Sequence, residues 1–208
     1  RFWLFKKIQY IMLSSLFLGI ALSSKISGVF ILPLNLFFIF FSFPLFRNML
    51  KTIGALFIYF LILYLATRVF DPYLFKNSNP LDLAINPKLK ASIESLSYLS
   101  NKDAWFPPSV QWINKPAILF SLYNISFFGI GLPSFIFSLT GAYYAIKSRK
   151  IILIIAGVWI LFFFLYQSTR FIQTMRYFII LYPFMAIFSG FCFWYMTKKS
   201  PIILILLL

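Results

Sequence analysis

From Thr52 to Thr67 the chain carries no charge, and the run TIGALFIYFLILYLAT is bounded by Lys51 and Arg68. A helix from Lys51 to Arg68 reaches about 27 Å at 1.5 Å per residue, close to the roughly 30 Å hydrocarbon core of a bilayer. Runs of this kind recur along the sequence, separated by short basic clusters. Composition decides between a membrane helix and the buried helix of a large soluble core. Apolar residues make up 62% and charged residues 11%, against roughly 45–50% and 25% in a soluble domain. The chain therefore reads as an integral membrane protein.

Segmenting the runs predicts an all-α, polytopic bundle with about six complete transmembrane helices, at about 8–24, 26–46, 51–68, 124–146, 151–167 and 177–197. Strand-like alternation of the kind a membrane β-barrel needs is missing from these runs. The sequence opens on Arg1 rather than Met and closes on PIILILLL. Eight helical residues cover only about 12 Å, so a seventh, truncated span is expected there. The whole of 1–208 is expected to be a fragment, with more sequence before Arg1.

Basic residues orient the spans, because cytoplasmic loops carry the excess of Lys and Arg. Arg1, Lys6 and Lys7 precede the first span, and Arg47 and Lys51 separate the second and third. Lys147, Arg149 and Lys150 separate the fourth and fifth, and Lys198 and Lys199 follow the sixth. With these clusters in the cytoplasm the crossings alternate without conflict. The opposite face then holds Lys25, one larger loop at about 71–116, and the link carrying Arg170 and Arg176. The four acids, Asp71, Asp82, Glu94 and Asp103, all fall in that loop.

Several function classes drop out. The net charge of +15 is scattered between apolar segments, which suits topology rather than nucleic acid. There is no His, and Cys192 is the single cysteine. Neither a metal site nor a disulfide framework can be built from these, and no cofactor is implied.

Within the loop, Asp71-Pro72, Asn79-Pro80 and Asn86-Pro87 are turn or helix-start signals. Residues 87–99 suit a short amphipathic helix with Leu89, Ile93 and Leu96 on one face, of a kind that lies on a bilayer surface. The stretch DAWFPPSVQWINKP (103–116) is unusual. Trp105 and Trp112 are natural residues of the aromatic belt, but Pro107-Pro108 is expected to enforce an extended backbone. A rigid segment placing aromatic faces beside Ser109 and Gln111 has the makings of a carbohydrate contact.

Three cations invite a chemical reading. Lys25 interrupts the long apolar stretch SSLFLGIALSSKISGVFILPL. It suits a snorkelling lysine at a helical hairpin turn, with Ser23, Ser24, Ser27 and Gly28 around it. It equally suits a functional charge within the membrane, and no topological rule asks for a lysine on that face. Arg170 and Arg176 lie in YQSTRFIQTMRYFIILYPF, where guanidinium forks could meet a phosphate or anchor helix ends at headgroups. All three share one face, so they could converge on one anion, most simply a phosphate attached to a lipid.

Three segments carry a resemblance. GIALSSKISGVFILP is similar to the Gly-x-Ala-x-x-x-Lys-x-x-Gly-x-x-x-x-Pro segment of the dolichyl-phosphate-mannose–protein mannosyltransferase-like family. PPSVQW followed by SLYNISFFGIGLP resembles that family's Pro-Pro-Ser-x-Gln-Trp and Asn-x-x-x-x-Gly-x-Gly pattern. MRYFIILYPFMAIFSG resembles its Arg-Tyr-x-x-x-x-Tyr-Pro segment. The order agrees and the pieces span most of the chain, although Phe128 stands where the family often has Trp.

The resemblance implies part of a membrane glycosyltransferase of the C-type fold. Such an enzyme takes sugar from a polyprenyl-phosphate donor on the non-cytoplasmic face, here expected to be that of the cell membrane. The acceptor class is a protein or a glycolipid. Lys25 and Arg176 would belong to the lipid-phosphate end, and Gln111, Trp112 and Tyr177 to the substrate side. Arg170 matches no motif and rests on its charge alone. The catalytic carboxylate of this family lies in the first external loop, which should be upstream of Arg1, so the fragment alone is expected to be inactive. The reading from another class is a transporter or flippase of a lipid-linked anion, with the same cations and no need of a base.

Overall fold

The computed structural model describes residues 2–42, 49–101 and 107–199. Arg1, Arg47, Asp103, Trp105, the end of the expected 26–46 span and the run 200–208 lie outside the described residues. Among those described the fold is all-α, with one isolated β-bridge between Phe75 and Ile85. The chain divides into two compact units, Arg1–Ser97 and Tyr98–Leu208.

The first unit contains α1 (Phe2–Ser24), α2 (Leu32–Ser42) and α3 (Met49–Phe70), and α4 (Pro87–Leu99) leads out of it. Lipid tails are as apolar as leucine, so helices in a membrane gain most from close contact and interhelical hydrogen bonds. Small residues supply both here. A Cβ on Gly19 of α1 would overlap that of Ala66 on α3, and the Ser15 hydroxyl donates to the Tyr59 carbonyl. Ile11, Leu18, Ile39, Ala55 and Tyr59 form the core of this unit. Asn35 of α2 donates its amide to the Tyr59 hydroxyl at 3.0 Å.

The second unit holds α5 (Pro107–Val110), α6 (Leu119–Asn124), α7 (Leu132–Lys147), α8 (Ile151–Ser168) and α9 (Tyr182–Lys199). Gly141 lets α9 approach α7 closely, since any Cβ there would run into the Phe188 carbonyl. The Ser189 hydroxyl bridges the same pair by donating to the Ser134 carbonyl at 2.9 Å. Phe137 with Phe193 and Tyr144 with Tyr195 continue the contact, at 4.5 and 4.3 Å between ring centroids.

Among the described residues three helices are long and apolar enough to cross a membrane: Met49–Phe70, Ile151–Ser168 and Ile179–Lys198. They match the expected spans at 51–68, 151–167 and 177–197. The apolar helices Ile8–Ser24 and Ile26–Phe41 are shorter, and the second begins as a 3-10 turn over Ile26–Ile31.

Two expectations are corrected. The single span expected at 124–146 is instead a bent pair, Leu119–Gly129 and Leu132–Lys147, meeting at 112°. After the π-helical turn Ile125–Gly129 the chain breaks at Gly131, whose φ of +79° is a conformation glycine tolerates best. Pro133 then sits in the first turn of α7, where its missing N–H has no partner to lose. Counted as one span, the pair is a fourth crossing. The second correction concerns Pro107-Pro108, which are helical rather than extended. Both occupy the first turn of α5, where prolines leave no ladder bond broken.

Candidate functional site

In the second unit, two segments meet. The first runs from α5 to α6. Ser109 is buried and its hydroxyl reaches the Leu99 carbonyl at 3.4 Å. The Trp112 N–H closes a turn onto the Ser109 carbonyl at 3.0 Å. The Trp112 ring packs edge-on against Phe120, 5.8 Å between centroids. Ile118 enters α6 with φ +65°, which is rare for a β-branched residue and costs backbone energy.

The second segment links α8 to α9. Gln173 is buried within it and accepts a hydrogen bond from the buried Ser121 hydroxyl at 3.2 Å. That bond fastens the link to α6, directly after the Phe120 ring that carries Trp112. The loop bearing Gln111 and Trp112 and the link bearing Arg170, Arg176 and Tyr177 are thus brought into one region. At the head of the link Ser168 is fully buried, and its hydroxyl has no hydrogen-bond partner among the described residues.

The polar groups here are held in different ways. Gln111 is exposed, and its amide donates to the Pro108 carbonyl at 2.8 Å, bracing its own turn. Arg170 is exposed and lies over the Tyr166 ring at 4.3 Å, donating also to that hydroxyl. Arg176 is exposed in a 3-10 turn, Met175–Tyr177, with its guanidinium 5.5 Å from the Tyr177 ring centroid. Aromatic faces steady both cations while leaving them at the surface.

Lys25 belongs to the first unit. It is exposed and stands at the point where α1 ends, with extended backbone at φ −158° and ψ 123°. Its N–H returns to the Ala21 carbonyl at 2.8 Å, and its carbonyl accepts the Gly28 N–H at 2.9 Å. Gly28 is buried against the backbone of Ala21 and Leu22, which makes this a tight hairpin.

Three recesses among the described residues bear on the site, and none of the six candidate residues lines any of them. In the first unit a recess of about 260 Å³ is lined by Tyr10, Ser14, Asn35, Phe38 and Tyr59, among others. In the second unit an apolar groove of about 340 Å³ runs along α7, α8 and α9 past Ile125, Leu161, Leu181 and Phe188. A further apolar recess of about 220 Å³ shares Ala142, Gly157, Leu161 and Phe188 with it and continues to Ile146 and Ile154. Its lining is nearly free of polar groups, which fits a hydrocarbon chain better than a sugar.

Two polar features were not singled out in the sequence. Ser121 and Gln173 sit amid apolar neighbours and have no motif to mark them. Arg68, which closes the uncharged run, is the centre of a hydrogen-bonded loop. Its Nε donates to the Tyr64 hydroxyl at 3.1 Å and its Nη1 to the Asn77 carbonyl at 2.8 Å. Its Nη2 donates to the carbonyls of Asn79 and Asp82, the latter at 3.2 Å. Below it the Phe75 ring lies 4.1 Å away. Asp82 in the same loop accepts the Ala84 N–H at 2.9 Å and the Asn77 amide at 2.6 Å. These bonds, then the cations Lys76 and Arg68, hold its carboxyl below the usual aspartate range. Among the described residues no cluster of His, Cys, Asp or Glu could hold a metal. No protein-family model, curated protein or solved structure matches the chain.

Proposed function

We propose that the chain is the membrane part of a glycosyltransferase that moves a sugar from a polyprenyl-phosphate donor to a protein or glycolipid acceptor. Six complete spans with the 71–116 loop on the non-cytoplasmic side of the cell membrane are part of this reading. The observation that supports it is the Ser121–Gln173 bond, which ties α6, downstream of the PPSVQW loop, to the link that carries Arg170 and Arg176. A neighbouring groove of hydrocarbon character, with Leu181 in its lining five residues after Arg176, supplies a berth for the donor's tail.

The chemistry is then a displacement at the anomeric carbon. An acceptor hydroxyl oxygen attacks as the bond from that carbon to the phosphate oxygen breaks. The electron pair leaves with the lipid phosphate, and the hydroxyl proton passes to a carboxylate base. Arg176 stabilises the charge gathering on the departing phosphate, and Arg170 adds a longer-range cation. Gln111, Trp112 and Tyr177 border the sugar or the acceptor.

The test is transfer from a polyprenyl-phosphate sugar by the full-length protein carrying Arg176→Ala. Loss of turnover with membrane insertion intact supports the assignment, and unchanged turnover removes Arg176 from the site. One observation favours the transporter reading: broken helices such as the 112° pair often border transported ions. An Asp or Glu in the first external loop of the full-length protein supports the enzyme, whereas its lack leaves the transporter.

A further inference from the structure

The loop that follows α3 does not rise away from the membrane. It folds back along the helix it has just left. Tyr64 donates its hydroxyl to the Pro80 carbonyl, and Arg68 holds the carbonyls of Asn77, Asn79 and Asp82. Helical side chains lean toward the N-terminus of their helix, so both residues reach back from the Phe70 end toward the middle of the span. Tyr64 lies six residues before Phe70, about 9 Å along the axis. The loop tip is therefore held at the height of the last two turns of a helix that itself crosses the bilayer.

What the loop displays at that height is aliphatic. The strand-like segment is fastened by hydrogen bonds from Lys76 N–H to the Ala84 carbonyl at 2.8 Å and from Asn86 N–H to the Leu74 carbonyl at 3.0 Å. The tip itself turns over Asn79–Asp82, where the Asp82 N–H donates to the Asn79 carbonyl at 3.1 Å. Leu81, Leu83 and Ile85 are 89%, 68% and 59% exposed, while Asp82 between them bonds inward to Asn77 and Ala84. A loop in water gains nothing by exposing three aliphatic side chains within five residues. A loop pressed into lipid does, at about 25 cal/mol for each Å² removed from water.

We propose that residues 79–85 form a lipid-embedded wedge, with Leu81, Leu83 and Ile85 among the acyl chains of the leaflet at the Phe70 end of α3. The occupant of this face is the surrounding bilayer, since the face lies at the height of a spanning helix. Arg68 is the clamp. An arginine near the edge of the hydrocarbon core is costly unless its N–H groups are met, and the three loop carbonyls with the Tyr64 hydroxyl meet them. The wedge needs only a membrane-spanning α3 and stands independently of the proposed transfer reaction.

Single-cysteine variants of the full chain, Leu81→Cys and Glu94→Cys in a Cys192→Ala background, test it in phosphatidylcholine vesicles containing some phosphatidylglycerol. An environment-sensitive fluorophore at position 81 should be quenched by lipid carrying a nitroxide near the carbonyl end of its acyl chain. The free thiol there should react with a membrane-impermeant maleimide several-fold more slowly than that at position 94. Equal reactivity at the two positions overturns the wedge. So does protection from the maleimide without lipid quenching, which means that protein covers the face. Adding Arg68→Gln should raise the reactivity at 81 to that at 94, and no change would remove Arg68 as the clamp.

Discussion

Arg68 in the first unit and Arg176 in the second are both arginines at the end of a membrane helix, yet their environments are opposite. Arg68 directs its fork into the carbonyls of its own loop, with Phe75 beneath it. Arg176 stays exposed over Tyr177, in a link that a single buried bond between Ser121 and Gln173 fastens in place. The first arginine is spent on its own loop, and the second lies exposed beside an aromatic ring. What surrounds a guanidinium, rather than its position in a span, separates the two uses.

Exchanging the losses is the sharpest way to break that comparison. Arg176→Ala in the full-length protein should lower transfer about 10²–10³-fold, the usual cost of removing one donor to developing charge. Its thermal unfolding in detergent should fall only slightly, since an exposed cation on a ring is worth about 0.5–1 kcal/mol. Arg68→Gln should do the reverse, costing about 2 kcal/mol as charged hydrogen bonds are lost, with transfer per folded molecule retained. Arg170→Ala is the intermediate case: an exposed cation on a ring is worth about 0.5–1 kcal/mol, so a small fall in melting temperature is expected, with transfer reduced only a few-fold.

Acid supplies the mildest test. The native carboxyl of Asp82 is held below its unfolded value by Ala84 and Asn77. It therefore adds stability above the unfolded aspartate value and loses it as pH falls through the lower native one. Cysteine reactivity at position 81 should rise over that acidic window. The described part of the second unit, 107–199, has no acid, so a cysteine beside Arg176 should keep its accessibility relative to a free-thiol standard. A parallel rise at both places would break the contrast.

Much of the scaffold was legible because membrane helices declare themselves by apolar length. Ile151–Ser168 and Pro87–Leu99 fall within a residue of the sequence reading, and Asn86 caps α4 by accepting the Lys88 N–H at 3.0 Å, as its Asn-Pro step suggests. The bend was hidden because hydropathy sums straight through GIGLP and weighs neither a glycine's φ nor a proline's missing N–H. The proline pair misled for a related reason: two prolines suit extended chain and the first turn of a helix equally. Arg68 looked like a span boundary because its partners are backbone carbonyls, which leave no trace in side-chain identity. The proposed site rests on sequence motifs, while the Ser121–Gln173 tie depends on tertiary contact across 52 positions.

The break at Gly131 also has a mechanical consequence for the lipid. Beyond it α7 has 16 residues and covers about 24 Å, some 6 Å short of a typical hydrocarbon core. A bilayer meets such hydrophobic mismatch by thinning locally, at fractions of a kcal/mol per Å. Where α7 crosses by itself, the membrane beside it would dimple and headgroups there would sit deeper than elsewhere. A dimple lowers the cost of drawing a lipid phosphate out of the plane of its neighbours, which is the first displacement any enzyme or carrier acting on that phosphate must make.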